Sequence, residues 1–319
     1  MSLTPGGLPW RDLEFWRSLW RDVRFWRFAG QAIAVVLIVA ALIFFGSNLT
    51  RNLQQLGIRL GFGFLNSQAG FTIGETVIPY QPSDSYGRAL LVGLANSLRV
   101  IITGIVLATV IGVVAGIARL ADNWLVRQLA LVYVETLRNT PLLLQLFFWY
   151  FVVFLSLPKP DNPVLWLGFS FSNAGITLPG GLRLSPEFTA LLLGLVLYTG
   201  TFIAEVVRGG IQSVPKGQWE AARSLGLHPA QTMRLVILPQ ALRTIVPPLG
   251  NQYLNLAKNS SLAIAVGYPD LYAVASTTFN QTGRAVEVMI LISLTYLTIS
   301  LIISLGLNLY NRSVQLVER

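Results

Sequence analysis

Between two long apolar runs the chain reads Gly217-Gln218-Trp219-Glu220-Ala221-Ala222-Arg223-Ser224-Leu225-Gly226, continuing through His228-Pro229 to Val236-Ile237-Leu238-Pro239. Glu220, Ala221, Ala222 and Arg223 favour helix, Gly226 is a good stop, and Pro229 suits the first turn of a second helix. The spacing predicts two short helices joined at a bend. A small alanine face flanked by Glu220 and Arg223 can be gripped closely by another protein. The plainer reading is a well-capped amphipathic connector.

The surroundings of this stretch are apolar. The 319 residues are 53% hydrophobic and only 12% charged, with a mean hydropathy of +0.60. Soluble domains carry roughly 25% charged residues, so lipid is the solvent for most of this chain. Crossing roughly 30 Å of hydrocarbon takes about 20 apolar residues. Six runs approach that length: Ala29 to Gly46, Leu91 to Ala118, Pro141 to Leu157, Phe188 to Val207, Ile245 to Val266 and Val286 to Tyr310. The third is short unless its helix begins near Leu129, and Lys258-Asn259-Ser260-Ser261 interrupts the fifth. The expected fold class is all-α, an integral membrane protein of about six transmembrane helices.

The net charge of +9 comes from 20 Arg and 3 Lys against 14 acids, placed mostly between apolar runs. Such residues report topology, and nucleic-acid binding is a poor reading. Five Arg precede the first run and five basic residues lie in 208–243, whereas 158–187 holds only Lys159 and Arg183. The N-terminus, the 208–243 segment and the C-terminus are therefore expected in the cytoplasm, with 47–87 and 158–186 outside. Residues 1–28 interleave Trp and Arg with a period of ten, as in Trp10-Arg11-Asp12 and Trp20-Arg21-Asp22. That composition suits a segment at the headgroup level. The expected organisation is an interfacial segment at 1–28, an extra span at 29–46, an external segment at 47–87, a transmembrane domain at 88–310 and a tail at 311–319. No cleavable signal is evident.

The chemistry open to the chain is narrow. It has no Cys and one His, His228, and its acids are dispersed, which argues against thiolate, His-cluster and carboxylate metal sites. Its lysines follow Pro158, Pro215 and Ala257, so the Gly-Lys of a phosphate-cradling loop does not occur. No G-x-S-x-G elbow occurs either. No enzyme activity and no cofactor are expected in this chain.

Glu220-Ala221-Ala222, Gly226 and Leu238-Pro239 resemble the EAA loop of ABC importer permeases, with Val236 where that family usually has Ile. The run Tyr198 to Pro239, with Ala204-Glu205-Val206-Val207-Arg208-Gly209-Gly210-Ile211, resembles the polar amino-acid uptake branch. So do Glu135-Thr136-Leu137-Arg138-Asn139-Thr140-Pro141-Leu142-Leu143 and Lys258-Asn259-Ser260-Ser261-Leu262. The resemblance covers about Arg88 to Arg319. It implies a type I, MetI-like core of five spans with one span added at the N-terminus. It also implies a coupling helix in which Glu220, Ala221, Ala222, Arg223 and Gly226 dock on an ATPase. The implied partners are two ATPase subunits holding ATP and Mg, a second permease subunit and a periplasmic amino-acid-binding protein. A heterodimer is favoured because of the long N-terminal extension. The implied activity is inward movement of polar or charged L-amino acids across the inner membrane by alternating access, acidic and neutral polar ones favoured. The alternatives are an ion-coupled secondary transporter and a non-transporting scaffold subunit.

Several charges near or inside the runs carry two readings each. Glu135 with Arg138, and Glu205 with Arg208, are spaced to share a helix face. They are either ion pairs that neutralise charge near lipid or contacts that break during gating. Lys258, beside Asn259, Ser260 and Ser261, costs about 2.5 kcal/mol or more at mid-depth and should face the interior or a water-filled path. It either holds a substrate carboxylate or gates, or it pairs with an acid such as Glu205 or with backbone carbonyls. Arg99 either attracts substrate or pairs and snorkels.

Overall fold

A computed structural model describes residues 23–55 and 60–314. The Arg/Trp segment up to residue 22 and the last five residues lie outside that description. The chain forms two compact units, Met1–Gly61 and Phe62–Arg319. In the first, helix α1 (Val23–Gln55) contains the expected extra span and runs well past it. Its apolar side chains, Leu37, Ile43 and Phe45 among them, are exposed, as suits a helix solvated by lipid.

The second unit begins with a loop, residues 62–85, that packs on the helices which follow. Ala69 and Tyr86 form a small core with Ala89 and Val274, and Ala69 and Gly70 donate to the carbonyls of Asp84 and Pro82. The structural boundary thus falls near residue 61, earlier than the expected start of the domain at 88. Ser85 caps α2 (Tyr86–Ala118) and Asn123 caps α3 (Trp124–Arg138). Pro141 then forces a break. Helix α4 (Leu142–Phe147) continues as a π-helix over Phe148–Phe154, and the pair α3 and α4 is bent by 105°. Four short strands follow: β1 (Val164–Trp166), β2 (Phe169–Ser172), β3 (Gly175–Thr177) and β4 (Arg183–Leu184). They form one antiparallel meander in the order β1-β2-β3-β4, a sheet the all-helical expectation did not contain.

Ser185 caps α5 (Pro186–Gln212), with proline at its start. After it come α6 (Lys216–Ser224), α7 (Pro229–Gln231), a π-helix over Thr232–Ile237 and α8 (Leu238–Asn259). A 3-10 segment (Ser260–Val266), α9 (Leu271–Thr282) and α10 (Ala285–Val314) complete the chain. Helices α2 and α5 form the central seam. A Cβ on Gly112 would stand 2.5 Å from Ile203, and one on Gly116 would stand 2.7 Å from the Ala204 carbonyl. These two glycines, four apart, let the backbones meet closely, which is how helices associate where lipid removes the hydrophobic drive. Helix α8 closes the core through Ile245 and Leu256, beside Ala108, Ile203 and Ile211.

Among the described residues four helices are long and apolar enough to cross a membrane, and the bent pair α3 and α4 makes a fifth. The run expected as a span at Ile245 to Val266 is the exception. It is helical to Asn259 and 3-10 beyond, but Asn251, Gln252, Asn255 and Lys258 dilute its apolar character.

Candidate coupling and translocation site

Helix α6 directly follows the Gln212 end of α5. Its end is fixed by backbone geometry: Gly226 has φ +73°, its N–H donates to Arg223, and the Leu227 N–H donates to Ala222. That pair of bonds is a Schellman turn, whose left-handed residue glycine supplies without strain. His228 then starts the next turn, its N–H donating to Gln231 Oε1 at 3.0 Å. Trp219 packs on the core that includes Ile237. Ala222 is only 2% exposed and faces inward, so it does not belong to the outer face expected for it. Glu220, Ala221, Arg223 and Gly226 remain exposed.

Above this helix lies a charge cluster joining three helices. Arg119, at the end of α2, pairs with Glu205 of α5 and stands 3.7 Å from Glu135 of α3. Arg208 closes on Glu205 at 2.8 Å through Nη2 and 3.1 Å through Nε. The expected Glu205 and Arg208 pair is therefore present. The expected Glu135 and Arg138 pair is not: the Arg138 guanidinium lies over the Phe202 ring at 5.5 Å, and Asn139 reaches Glu135 instead. The reason is the helix end at Arg138, where the chain turns toward Pro141 and Arg138 finds an aromatic face on α5. Arg119 holds the centre, and local spacing gave no sign of it because its partners are 16 and 86 residues away.

Lys258 does not pair with Glu205, whose carboxylate Arg119 and Arg208 occupy. Its side chain is exposed, and no hydrogen bond or ion pair reaches its ammonium among the described residues. It stands level with the middle of α2, since the neighbouring Leu256 packs on Gly104 and Ala257 on Ile101. Asn251 and Asn255 are exposed on the same stripe of α8, one and two turns away. The hydroxyls of Ser260 and Ser261 are spent locally, donating to the Ala257 and Lys258 carbonyls. Ser260 is fully buried and Asn259 half-buried, so of the four expected residues Lys258 alone is fully exposed.

Arg99 sits at the other end of α5. Its guanidinium lies 3.9 Å over the Phe188 ring and pairs with Glu75, which also accepts from the Ser185 hydroxyl. Asn96, fully buried, donates to the carbonyls of Glu75 and Pro269 at 2.8 Å each and accepts from the Val77 N–H. Asp270 caps α9 through the Ala273 N–H and accepts from Tyr296. Burial pushes its carboxyl up to about 7. Glu75 and Asp270 lie in loops, where no periodicity marks them. No group of His, Cys, Asp and Glu could hold a metal among the described residues.

Apolar spans around a close-packed seam, a capped helix held outside them and a polar stripe along α8 define a helical membrane permease. Residues 108–316 match the model of the binding-protein-dependent transport system inner membrane component, and the chain belongs to that family. It is 41% identical to the putative amino-acid ABC transporter permease protein YhdX of Escherichia coli K12, covering 91% of this chain and 94% of that one. It is 39% identical to the general L-amino acid transport system permease protein AapQ of Rhizobium johnstonii, covering 91% and 92%. Among solved structures it is similar to an amino acid ABC transporter crystallised with histidines. That match has TM-score 0.58 and 30% identity and covers 72% of this chain and 95% of the other.

Proposed function

We propose that this chain is the permease subunit of an inner-membrane ABC importer for polar or charged L-amino acids, with acidic and neutral polar ones favoured. The observation that carries the substrate pathway is Lys258. An ammonium level with the middle of α2 and without a partner among the described residues is too costly to face lipid, so the stripe Asn251, Asn255 and Lys258 lines water, substrate or a second permease subunit. The names of the similar permeases point the pathway to amino acids, whose carboxylate Lys258 or Arg99 receives.

Coupling follows from α6. Glu220, Ala221, Arg223 and Gly226 dock on one of two ATPase subunits, which hold ATP and Mg, and Ala222 anchors the helix to the bundle. ATP favours one orientation because it binds the closed ATPase pair better, the differential affinity such a switch requires. The cluster of Arg119, Glu135, Glu205 and Arg208 exchanges partners as the halves rock, with Arg138 beside it. An external binding protein delivers substrate, the second permease is a paralogue, and both termini lie in the cytoplasm, as the basic segments favour. The N-terminal unit is an added span with an interfacial anchor.

The test is radiolabelled uptake by the reconstituted complex, competed with acidic, neutral and basic amino acids. Competition by polar amino acids is expected, and competition only by sugars or peptides overturns the substrate class. Robust uptake by the isolated chain under an ion gradient overturns the ATPase coupling. Lys258→Met is expected to weaken uptake at low substrate concentration, and full retention removes Lys258 from the pathway.

A further inference from the structure

The meander between α4 and α5 is amphipathic in an uneven way. Its register places Val164, Phe171, Ile176 and Leu184 in one row across the four strands, with Trp166 and Phe169 on the same face. The opposite face carries Ser170, Thr177 and Arg183. Exposure rises across the apolar row from Leu184 and Ile176, half-buried against the bundle, to Val164 and Trp166 on the edge strand. Strand β1 thus overhangs the core. Both its faces are apolar and exposed, with Leu165 at 74%, Trp166 at 64% and the following Leu167 at 75%.

Two features show that this apolar edge is not an incidental surface. Leu167 has φ +47°, a conformation in which glycine, asparagine or aspartate is ordinary and leucine is strained. A turn in water gains nothing from a leucine there. Moreover, no charged residue occurs from Val164 to Leu182; the nearest are Asp161 and Arg183. The β3–β4 turn lies at the same end of the sheet, and there Leu182 is also exposed.

We infer that β1 and the Leu167 turn form a lipid anchor, lying at the headgroup level of the leaflet at the Pro186 end of the bundle. The occupant follows from continuity with the lipid-facing surface. A π-helix whose Phe148, Phe151 and Val152 are exposed, as is Leu155 just after it, ends nine residues short of the meander, and the α5 span begins one residue after β4. Strands of three or four residues reach only about 10–13 Å, far short of the roughly 30 Å hydrocarbon core. Tryptophan and leucine without charge suit that layer. The outer N–H and C=O groups of an edge strand need partners that hydrocarbon lacks, which keeps β1 among headgroups rather than deeper. Arg183, on the polar face, donates to the Ala174 carbonyl and stays on the water side.

The chain has no native cysteine, so single-cysteine spin labelling is clean. Trp166→Cys, Leu167→Cys and, as the polar-face reference, Arg183→Cys are labelled in the full chain in phosphatidylethanolamine–phosphatidylglycerol nanodiscs, alone and with its partner subunits. Collision with lipid-dissolved oxygen is expected to dominate at 166 and 167, and collision with an aqueous nickel chelate at 183. Nickel dominating at 166 and 167 overturns the anchor. So does shielding from both reagents, which would mean a protein contact. Either labelled position decides alone if the other variant fails to fold. The result does not depend on which substrate the permease carries.

Discussion

The two ends of the seam between α2 and α5 differ in how much of their polar contact runs through backbone groups. At the Pro186 end, an ion pair of Arg99 with Glu75, which also accepts from Ser185, stands beside buried Asn96, which ties the loop at 75–77 and Pro269 to α2 through backbone groups. Such bonds have one partner each and leave a costly orphan when broken. At the Gln212 end, three helices meet through Arg119, Glu135, Glu205 and Arg208, side chains that can trade partners at small cost. One end adds buried backbone bonds to its ion pair, the other relies on side-chain charges alone, and that second end is the one that leads into α6. Under the proposed coupling through α6, motion enters at the Gln212 end and turns about the Pro186 end.

The most damaging test of this contrast is Asn96→Leu. It orphans the Val77 N–H and two carbonyls, and a stability loss of about 3 kcal/mol is expected, read as a large fall in melting temperature in detergent. An unchanged melt would mean that the Pro186 end is not held as described. Arg119→Gln comes next. Glu205 keeps Arg208, so the loss is expected to be smaller, about 2 kcal/mol, while uptake falls more steeply than stability. The swap Arg119→Glu with Glu205→Arg tests pairing itself, and failure to recover any uptake would count against it.

Gly226→Val places a β-branched residue at φ +73°, at a local cost of about 1–2 kcal/mol. The fold should survive and co-purification of the ATPase should drop about tenfold, the conversion of that cost. Gly226→Asn should retain most of it, because asparagine tolerates the left-handed region. Equal losses in both variants would shift the explanation from backbone geometry to side-chain bulk.

The smallest expected effect concerns Asp270. Its carboxyl, ordinarily near 3.8, is pushed up to about 7 by burial, so the folded chain binds the proton more tightly than the unfolded one. Its contribution is favourable at acid pH, declines as pH rises from about 4, and is fully lost above about 7. Asp270→Asn keeps a capping oxygen and should flatten the pH dependence of the melting temperature across that window. A slope as steep as in the parent chain would assign it to another group.

Most of the bundle was legible because long apolar runs and flanking basic residues are local signals. The runs at 29–46, 91–118, 188–207 and 286–310 all lie within single helices. The run at 141–157 is too short to span by itself because Pro141 splits its span and the first half, Trp124–Arg138, is amphipathic, and the run at 245–266 fails because polar residues interrupt it. The capped turn at Gly226 was readable for the same local reason. The meander was not, since its strands are two to four residues long and its alternation is brief.

The amino-acid sequence by itself determined that the chain lives in lipid, where four of its long apolar helices run, and that Glu220 to Gly226 forms a capped turn of helix. Each depends on neighbours within a few turns. Only the tertiary structure decided that Ala222 turns inward, that Arg119 rather than Arg138 meets Glu135, and that Lys258 finds no partner among the described residues. Those outcomes depend on which faces of distant helices meet, and Gly112 and Gly116 set that by allowing α2 and α5 to touch.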